Sequence, residues 1–343
     1  MKKSEKNRNL RLRYLLILLL ICAIVFVSST YAWFTSNKEV QIDTIQVNVR
    51  TSAGIQISAD GVNWKSALTL NDLTAAKNTY SELSNHIPAN IEPVSTAMNI
   101  ITNGKLDMYY GEVKSNDAGN FALTAVADND FEAAHYVVFD IFLKTNSPIA
   151  AEDILIDCSG LNAEDRSGVY ISGTESALGI ENASRIAFIN EGNIEDGSTG
   201  SAIRALTASA DADKYLWEPN ANTHTNAGIS NAENTYGLTG VTATGPTSLD
   251  YDGVKAEIVE ANAVELAATN ATANSAFFAD VTPDQTTTKA YSDTLPFMAL
   301  EAGITKIRIY MWIEGQDVDC ENNASGALVN FNLRFKLKED TNG

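Results

Sequence analysis

The chain has 343 residues, with 24 Lys and Arg against 43 Asp and Glu, which gives a formal net charge of −19. Nucleic acid is an unsuitable partner for such a chain, because a polyanion is repelled rather than neutralised. Three His and three Cys leave little material for a multi-histidine zinc centre or a disulfide-dense scaffold. Hydrophobic residues make up 45% of the chain, which is enough to form a sizeable core.

The N-terminus has the three parts of an export signal. Six basic residues precede the uninterrupted apolar run Leu15–Val27, and small polar residues follow it. Thr30 and Ala32 occupy the −3 and −1 positions of a cleavage site, so that Trp33 would begin the mature chain. The alternative is an uncleaved membrane anchor, since a helix of about 20 residues reaches across a bilayer. Either way, residues 1–32 predict an export helix and a protein that is extracellular or held at the cell surface.

Export changes both the charge and the redox setting of the rest of the chain. The N-terminal 32 residues contain six basic residues and one acidic residue, so the remainder carries a formal charge of −24. Cys158 and Cys320 are the only cysteines of this remainder, and an oxidising compartment permits a disulfide between them. Such a bridge would stabilise the fold by about 5 kcal/mol in the chain-entropy model. Two buried thiols are the alternative.

Alternation of apolar and polar residues predicts strands throughout the exported part. Ile45, Val47 and Val49 alternate with polar residues, as in a half-buried strand. The pair Asp60-Gly61 has the turn chemistry of a hairpin and lies between two short apolar segments. Tyr136–Leu143 is apolar on both sides, which is typical of a central strand covered on both faces.

Two further alternating runs lie near the C-terminus. The first is centred on Ile309, and the second places five apolar side chains on one face: Val329, Phe331, Leu333, Phe335 and Leu337. Because the first and last exported segments are both strong strands, the sequence predicts an all-β fold, an antiparallel β-sandwich of jelly-roll-like type.

The sandwich is interrupted by a compositional change. Residues 33–196 form its first part, and residues 291–343 supply the C-terminal strands that complete it. Between them, residues 197–290 are rich in Ala, Thr and Asn and contain few large apolar side chains. This stretch is expected to be a loop-rich insertion or a second lobe.

Catalytic motifs are missing from the sequence. It contains no His-Glu-x-x-His helix, no Gly-x-Ser-x-Gly elbow and no phosphate-binding glycine loop, so no enzyme activity and no cofactor are predicted.

Trp217, Glu218 and His224 form the cluster best suited to binding a ligand, with an aromatic platform, a carboxylate and an imidazole. A rigid surface loop without a ligand is the alternative.

One acidic segment has the spacing of calcium ligands. Asp317, Asp319 and Glu321 alternate, as oxygen ligands do around Ca²⁺. An EF-hand loop requires glycine at its sixth position and glutamate at its twelfth, where this chain has Asn322 and Leu328. A solvated acidic turn is therefore the competing interpretation.

The residues around the cleavage site also resemble a known family. The segment Ser-Thr-Tyr-Ala-Trp-Phe-Thr at 29–35, directly after the apolar run, is similar to the export signal of the TasA/camelysin group. These are exported proteins of Gram-positive bacteria that a SipW-type signal peptidase processes. The specific likeness covers about residues 10 to 36, and looser similarity to exported relatives continues at 54–64 and 313–320. The long middle region departs from the group's pattern.

The resemblance implies a jelly-roll subunit that polymerises into biofilm-matrix fibres. In that assembly the N-terminal strand of one subunit completes the next, and the corresponding strand here is Glu39–Val49, which contains Ile45, Val47 and Val49. Strand addition to an exposed edge supplies main-chain hydrogen bonds and fills apolar pockets. The alternative is that these residues pair within their own subunit.

Three functions follow from these observations. The first is a non-enzymatic structural subunit of the cell surface or extracellular matrix, with a signal peptidase, the membrane before cleavage, and other copies or matrix proteins as partners. The second is a surface binding module that recognises a glycan or host surface through the loop containing Trp217. The third is a secreted hydrolase that uses scattered carboxylates.

Overall fold

A computed structural model describes the following residues: 40–41, 48–51, 54–115, 121–145, 152–158, 166–172, 179–219, 224–234, 253–254, 264–265, 278–279, 288–289, 296–315, 317, 319–320 and 328–338. The predicted export segment with Thr30, Ala32 and Trp33 lies outside these residues, as do Ile45 and Val47. Among the residues described, no helix is both long and apolar enough to cross a bilayer.

Strands dominate the described residues. The helices are α1 Leu70–Thr79, α2 Gly200–Arg204 and α3 Asn226–Asn234. The strands are β1 Val40–Gln41, β2 Asn48–Thr51, β3 Ile55–Ser58, β4 Ala67–Leu68, β5 Asn90–Ile91, β6 Ser95–Ile101, β7 Lys105–Ser115, β8 Phe121–Ala127, β9 Val137–Thr145, β10 Glu152–Ile156, β11 Gly168–Ser172, β12 Ser184–Ile194, β13 Lys214–Glu218, β14 Gly253–Val254, β15 Val264–Glu265, β16 Phe278–Ala279, β17 Thr288–Lys289, β18 Pro296–Leu300, β19 Ile304–Ile313 and β20 Leu328–Leu337.

The described strands form three large sheets and two two-stranded sheets, β1-β5 and β14-β16. The central sheet has the order β17-β13-β12-β19-β9-β3, the second has β18-β10-β20-β2-β4 with β11 also on β20, and the third has β15-β8-β7-β6. Antiparallel pairs predominate; β2 with β20 and β13 with β17 are parallel. The predicted all-β antiparallel sandwich is confirmed.

The central sheet is covered on both faces. Towards the second sheet, Phe188 of β12 meets Phe335 of β20, with ring centroids 6.1 Å apart, inside one apolar cluster. Towards the third sheet, Tyr310 and Trp312 of β19 pack with Met108 of β7 in a separate cluster. A sheet that is covered by protein on both faces requires strands with apolar side chains on both sides, which explains the continuous apolar sequence of β9.

Charged side chains are nevertheless buried in this central sheet. Lys306 and Arg308 of β19 are 2% and 3% exposed, and both contact Asp140 of β9, which is fully buried. Arg308 also lies 3.2 Å from Glu191 of β12. Burial of an ion is costly unless it is paired, and here two cations face two carboxylates. The alternating polar positions of β19 therefore face a protein layer instead of water.

The middle region belongs in part to the sandwich. Residues 197–290 were expected to form an insertion or second lobe, but β13 lies beside β12 in the central sheet, and β15 extends the third sheet. Leu216 and Trp217 are almost fully buried, so β13 contributes to the core. The central sheet therefore includes strands from both sides of the expected boundary at residue 197.

Of the three residues singled out in the expected assembly strand, Ile45, Val47 and Val49, the structure describes Val49, which lies in strand β2. In the structure Val49 is paired in parallel with Leu333 and antiparallel with Leu68, both of the same chain. The described part of this segment thus pairs with strands of the same chain in the structure.

The predicted hairpin after β3 is present, and its turn requires glycine. Ile57 and Lys65 exchange backbone hydrogen bonds of 2.9 and 2.8 Å. Within the turn, one carboxylate oxygen of Asp60 accepts from the backbone N–H of Asn63, at 2.7 Å. Gly61 has φ +74°, and a Cβ added there would lie 2.7 Å from Cγ2 of Ile203 in α2. Both the conformation and the close approach exclude a side chain.

Cys158 and Cys320, the two candidates for a disulfide, lie against the same apolar cluster. Cys320 is buried and Cys158 is partly buried, and both pack against the core between the central and second sheets.

Candidate functional site

Three segments meet at one end of the central sheet. The first residue of β12, Ser184, pairs with the last residue of β19, Ile313, because the two strands are antiparallel. Strand β13 ends at the same edge with Glu218, since Ile186 pairs with Trp217. The turn that precedes β12, the turn that follows β19 and the end of β13 are thereby placed side by side.

Asp319 is the centre of the polar contacts at this edge. Its side chain is fully buried, and its Oδ1 accepts hydrogen bonds from the backbone N–H and the hydroxyl of Thr225, at 2.9 and 2.7 Å. Its Oδ2 accepts from Nδ2 of Asn182 at 3.1 Å and lies 3.0 Å from Nδ1 of His224. Four partners satisfy the acceptor capacity of a carboxylate, so Asp319 links the middle region to the turn after β19.

Arg185 of β12 is the positive group beside Asp319. Its guanidinium donates to Oδ2 of Asp317 at 2.7 Å, and its Nε lies 3.2 Å from Oε1 of Glu218. All three side chains are about 95% buried. Arg185 also donates to the backbone carbonyls of Asn182 and Ser184, which ties the start of β12 to the turn before it. The planar guanidinium group carries several N–H donors in fixed positions, so it can contact several acceptor oxygens at once.

His224 approaches the cluster through one ring nitrogen. Its side chain is 6% exposed, and Nδ1 faces Asp319 while Nε2 is buried without a hydrogen-bond partner within the described part of the chain. Burial lowers the pKa of His224, but the bond to Asp319 and the charge of Asp317 outweigh it and raise the pKa above its usual value. The ring is therefore held close to negative charge.

Carboxylates outnumber cations in this cluster. Besides Asp317, Asp319 and Glu218, buried Glu314 accepts a hydrogen bond from the indole of Trp312, and the charge of Asp319 acts on the carboxyl of Glu181. Burial raises the pKa of Glu181, and it raises that of Asp317 although Arg185 opposes the shift. Among the described groups that act on the cluster, the positive ones are Arg185 and His224. The Asp140 network, by contrast, balances two carboxylates with two cations.

The structure brings together two sets of residues that the sequence had singled out separately. Asp317 and Asp319 lie with His224, and one oxygen or nitrogen from each of the three lies within 4.8 Å of the other two. Glu218 joins them through Arg185. Glu321 lies outside the described residues. The interpretation of a solvated acidic turn is wrong, because Asp317 is 6% exposed and Asp319 is fully buried.

Trp217 does not form a binding platform. It is part of strand β13 and is 1% exposed, packed in the core between the central and second sheets. Successive side chains of a strand point to opposite faces, so Trp217 faces the core while Glu218 faces Arg185. The prediction of a binding loop around Trp217 is wrong, since the Trp-Glu-Pro sequence ends a strand.

Sequence patterns did not identify three residues of the cluster. Arg185, Asn182 and Thr225 lack any motif, and the cluster that they form joins residues up to 137 positions apart. Of the three, only Arg185 could have been noticed in the sequence, because an arginine within the apolar strand β12 indicates a buried ion pair with an acidic residue. Its partners could not be read from the sequence.

Comparison with family models, curated proteins and solved structures gives no match for this chain. The fold therefore defines the class of the protein by itself: an acidic all-β sandwich whose central sheet ends in a buried cluster of carboxylates, one arginine and one histidine.

Proposed function

We propose that the chain is an exported, non-enzymatic structural subunit of the cell surface or extracellular matrix. The basic and apolar N-terminal segment supports export, and the large acidic remainder suits a soluble subunit outside the cell. Glu218 and His224, which the sequence singled out for ligand binding, instead contact Arg185 and Asp319 within the protein. These contacts hold separate segments of the chain together, which supports a structural role.

The observation that carries this proposal is the position of β2. This strand follows the export segment and is inserted between β20 and β4, with a parallel pairing to β20 over four residues. A parallel partner within a largely antiparallel sheet does not come from a hairpin, so β2 is held beside β20 by main-chain pairing between segments far apart in the sequence. The same segment of another copy offers the same pairing.

The mechanism is strand exchange between copies. A signal peptidase would release the N-terminal segment from the membrane, and β2 of one subunit would then occupy the position beside β20 of the next. Each exchange replaces an intramolecular strand pair by an identical intermolecular pair, so concentration and linker geometry decide which form predominates. A second copy of the chain, or a related matrix protein, is the partner.

Engineered cysteines test this mechanism directly. Val49 and Leu333 are directly opposed in the parallel register, so V49C and L333C place two thiols within reach of a disulfide. Mixing the V49C chain with the L333C chain at high concentration is expected to give disulfide-linked dimers under mild oxidation. The double variant in one chain is expected to lock the self-paired form and to prevent fibres in electron micrographs.

A matched control uses a pair in the central sheet. Gln56 of β3 opposes Lys144 of β9, a strand held on both sides, so Q56C mixed with K144C is expected to give no cross-linked dimer. Absence of dimers from the V49C and L333C mixture, together with a monomeric wild type under all assembly conditions, would refute strand exchange.

A binding function is favoured by a separate observation. A groove of about 390 Å³ runs between the turn at Asp60 and helix α1, lined by Tyr80, Asn63 and Lys65 among others. The ring of Tyr80 stacks against the guanidinium of Arg204 at 3.8 Å, which fixes its orientation. An aromatic ring beside amide and charged groups suits a neutral sugar.

A glycan array with the wild type and the N63A variant tests this second function. Loss of binding in N63A, with an unchanged melting temperature, would support a glycan site at this groove. An array without any bound glycan would leave the structural subunit as the function of the chain.

A further inference from the structure

The start of helix α3 is attached to the sandwich through the buried carboxylate of Asp319. Thr225 caps the helix, because its hydroxyl accepts from the backbone N–H of Gly228 and its carbonyl from that of Ile229, both at 3.0 Å. Asp319 accepts from the backbone N–H and the hydroxyl of Thr225, at 2.9 and 2.7 Å. Nδ1 of His224 lies 3.0 Å from the same carboxylate. Asp319 therefore holds the two residues that lead into α3.

The helix itself adds little buried apolar surface to this attachment. Among the side chains of α3 that are described, Asn226, Ala227 and Ser230 are exposed and Ile229 is only half-buried. A segment with few buried apolar contacts opens at a lower free energy than the core of the protein. The polar contacts of Asp319 are therefore important in keeping α3 on the sandwich.

Carboxylates surround the ring of His224. The side chain is 6% exposed, and the groups that act on it from the turn after β19 are Asp319 and Asp317. Arg185 of β12 brings positive charge to the ring. The remaining titratable groups of the cluster act on Arg185 or are affected by Asp319, and all of them are carboxyl groups: Glu218, Glu314 and Glu181. A protonated ring in this position is stabilised by opposite charge in spite of its burial.

We infer that His224 forms a pH-controlled latch with Thr225 and Asp319, which holds the start of α3 against the end of the central sheet while the ring is protonated. A protonated ring adds the attraction of opposite charges to its hydrogen bond with Asp319, and this attraction is strong because both side chains are removed from water. The neutral ring keeps the hydrogen bond but loses that attraction. Loss of the proton therefore shifts α3 towards a form that is detached from the sandwich.

The direction of the pH dependence follows from the environment of the ring. Burial and the charge of Arg185 lower the pKa of His224, but the hydrogen bond to Asp319 and the charges of Asp317 and Asp319 outweigh them and raise the pKa above 6.5. A group with a raised pKa stabilises the attached form fully below its pKa in the detached form, and this contribution is lost as the pH rises through the higher value. Acid therefore holds α3 in place, and a rise in pH above 6.5 releases it.

Two measurements on the full chain test the latch. The chain contains three histidines, so selective ¹³C labelling gives three ring signals in NMR spectra, which H86N, H135N and H224N assign one by one. The signal of His224 is expected to titrate above pH 6.5. Hydrogen exchange with mass spectrometry gives the protection of α3 over the same pH range, corrected for the intrinsic pH dependence of exchange. Protection is expected to fall by about tenfold for each unit by which the pKa of His224 is raised.

The H224N variant separates the latch from the other titrating groups. Asparagine keeps an N–H donor near the position of Nδ1 but takes up no proton, so the fall in α3 protection above pH 6.5 should disappear. Any pH dependence that remains in H224N belongs to Asp317 and Glu181, whose pKa values burial raises. The matched control is H135N, because His135 also lies beside a buried carboxylate, with Nδ1 3.1 Å from Asp128. H135N should leave the pH dependence of α3 unchanged.

Each outcome decides for or against the latch. Protection of α3 that falls above pH 6.5 in the wild type and in H135N, but not in H224N, supports it. A His224 signal that titrates at or below pH 6.5, or an equal fall in α3 protection in the wild type and H224N, overturns it. If H224N does not fold, the wild type still decides, because its ring titration and its loss of α3 protection must occur over the same pH range.

Discussion

Replacement of Asp140 by asparagine tests whether the buried charge network stabilises the central sheet. Asp140 is fully buried on β9, and its two oxygens accept from Arg308 at 2.8 and 3.3 Å. Lys306 lies 3.3 Å from the same carboxylate. Asparagine has nearly the same volume, so D140N removes the charge without leaving a cavity.

The expected loss in the free energy of unfolding follows from Arg308 and Lys306, which stay buried in the variant. Removal of one partner from a buried ion pair typically costs about 3–5 kcal/mol, because the other charge stays buried without compensation. In D140N, Glu191 still contacts Arg308 at 3.2 Å, so we place the loss near the lower end, at about 3 kcal/mol. That is a large fraction of the stability of an ordinary domain.

Urea unfolding monitored by tryptophan fluorescence measures this change, with D153N as the matched control. Asp153 pairs with Lys338 at 3.2 Å on the surface, where each side chain is at least 42% exposed, so D153N should cost less than about 1 kcal/mol. Free energies of unfolding for D140N within 1 kcal/mol of the wild type, at an unchanged m-value, would refute the argument.

Three further predictions concern other positions. Burial raises the pKa of Glu191 to about 7, from 4.5, so its folded carboxyl retains a proton that the unfolded chain loses, and stability should fall as pH rises between these values. E191Q should flatten that slope in urea unfolding at pH 5, 6 and 7, and an unchanged slope would contradict it. W217A should lower the free energy of unfolding by about 3–5 kcal/mol in the same assay, because a fully packed side chain is lost; a value under 1 kcal/mol would mean that Trp217 is exposed. G61A should lower the melting temperature, at a cost of about 1–3 kcal/mol, since φ is +74° and the new Cβ meets Ile203; wild-type stability would refute the turn geometry.

The strands were predictable where the local pattern was strong. The turn at Asp60-Gly61, the apolar segment of β9 and the alternation of β20 all appear as expected, because chain geometry fixes which side chains share a face. Strand β13 was missed, because five residues within a polar stretch carry too little periodicity. Its place in the core depends on β12, a neighbour that local sequence does not reveal.

The candidate site was predictable only in fragments. The sequence singled out Asp317, Asp319, Glu218 and His224 for their chemistry, but it assigned them to two unrelated sites. It missed Arg185, the residue that connects them. Spatial neighbours in a sheet come from strand order, and strand order depends on long-range pairing that no local window contains.

The sequence alone determined the acidic character of the chain and its β class, because composition and period-2 alternation are local properties. Only the tertiary structure decided that the central sheet is covered on both faces, that Trp217 is a core residue and that Asp319 orients His224. Each of these depends on which strands become neighbours. Burial and charge pairing depend on the folded structure, because the groups packed around a buried charge determine how much its burial destabilises the protein.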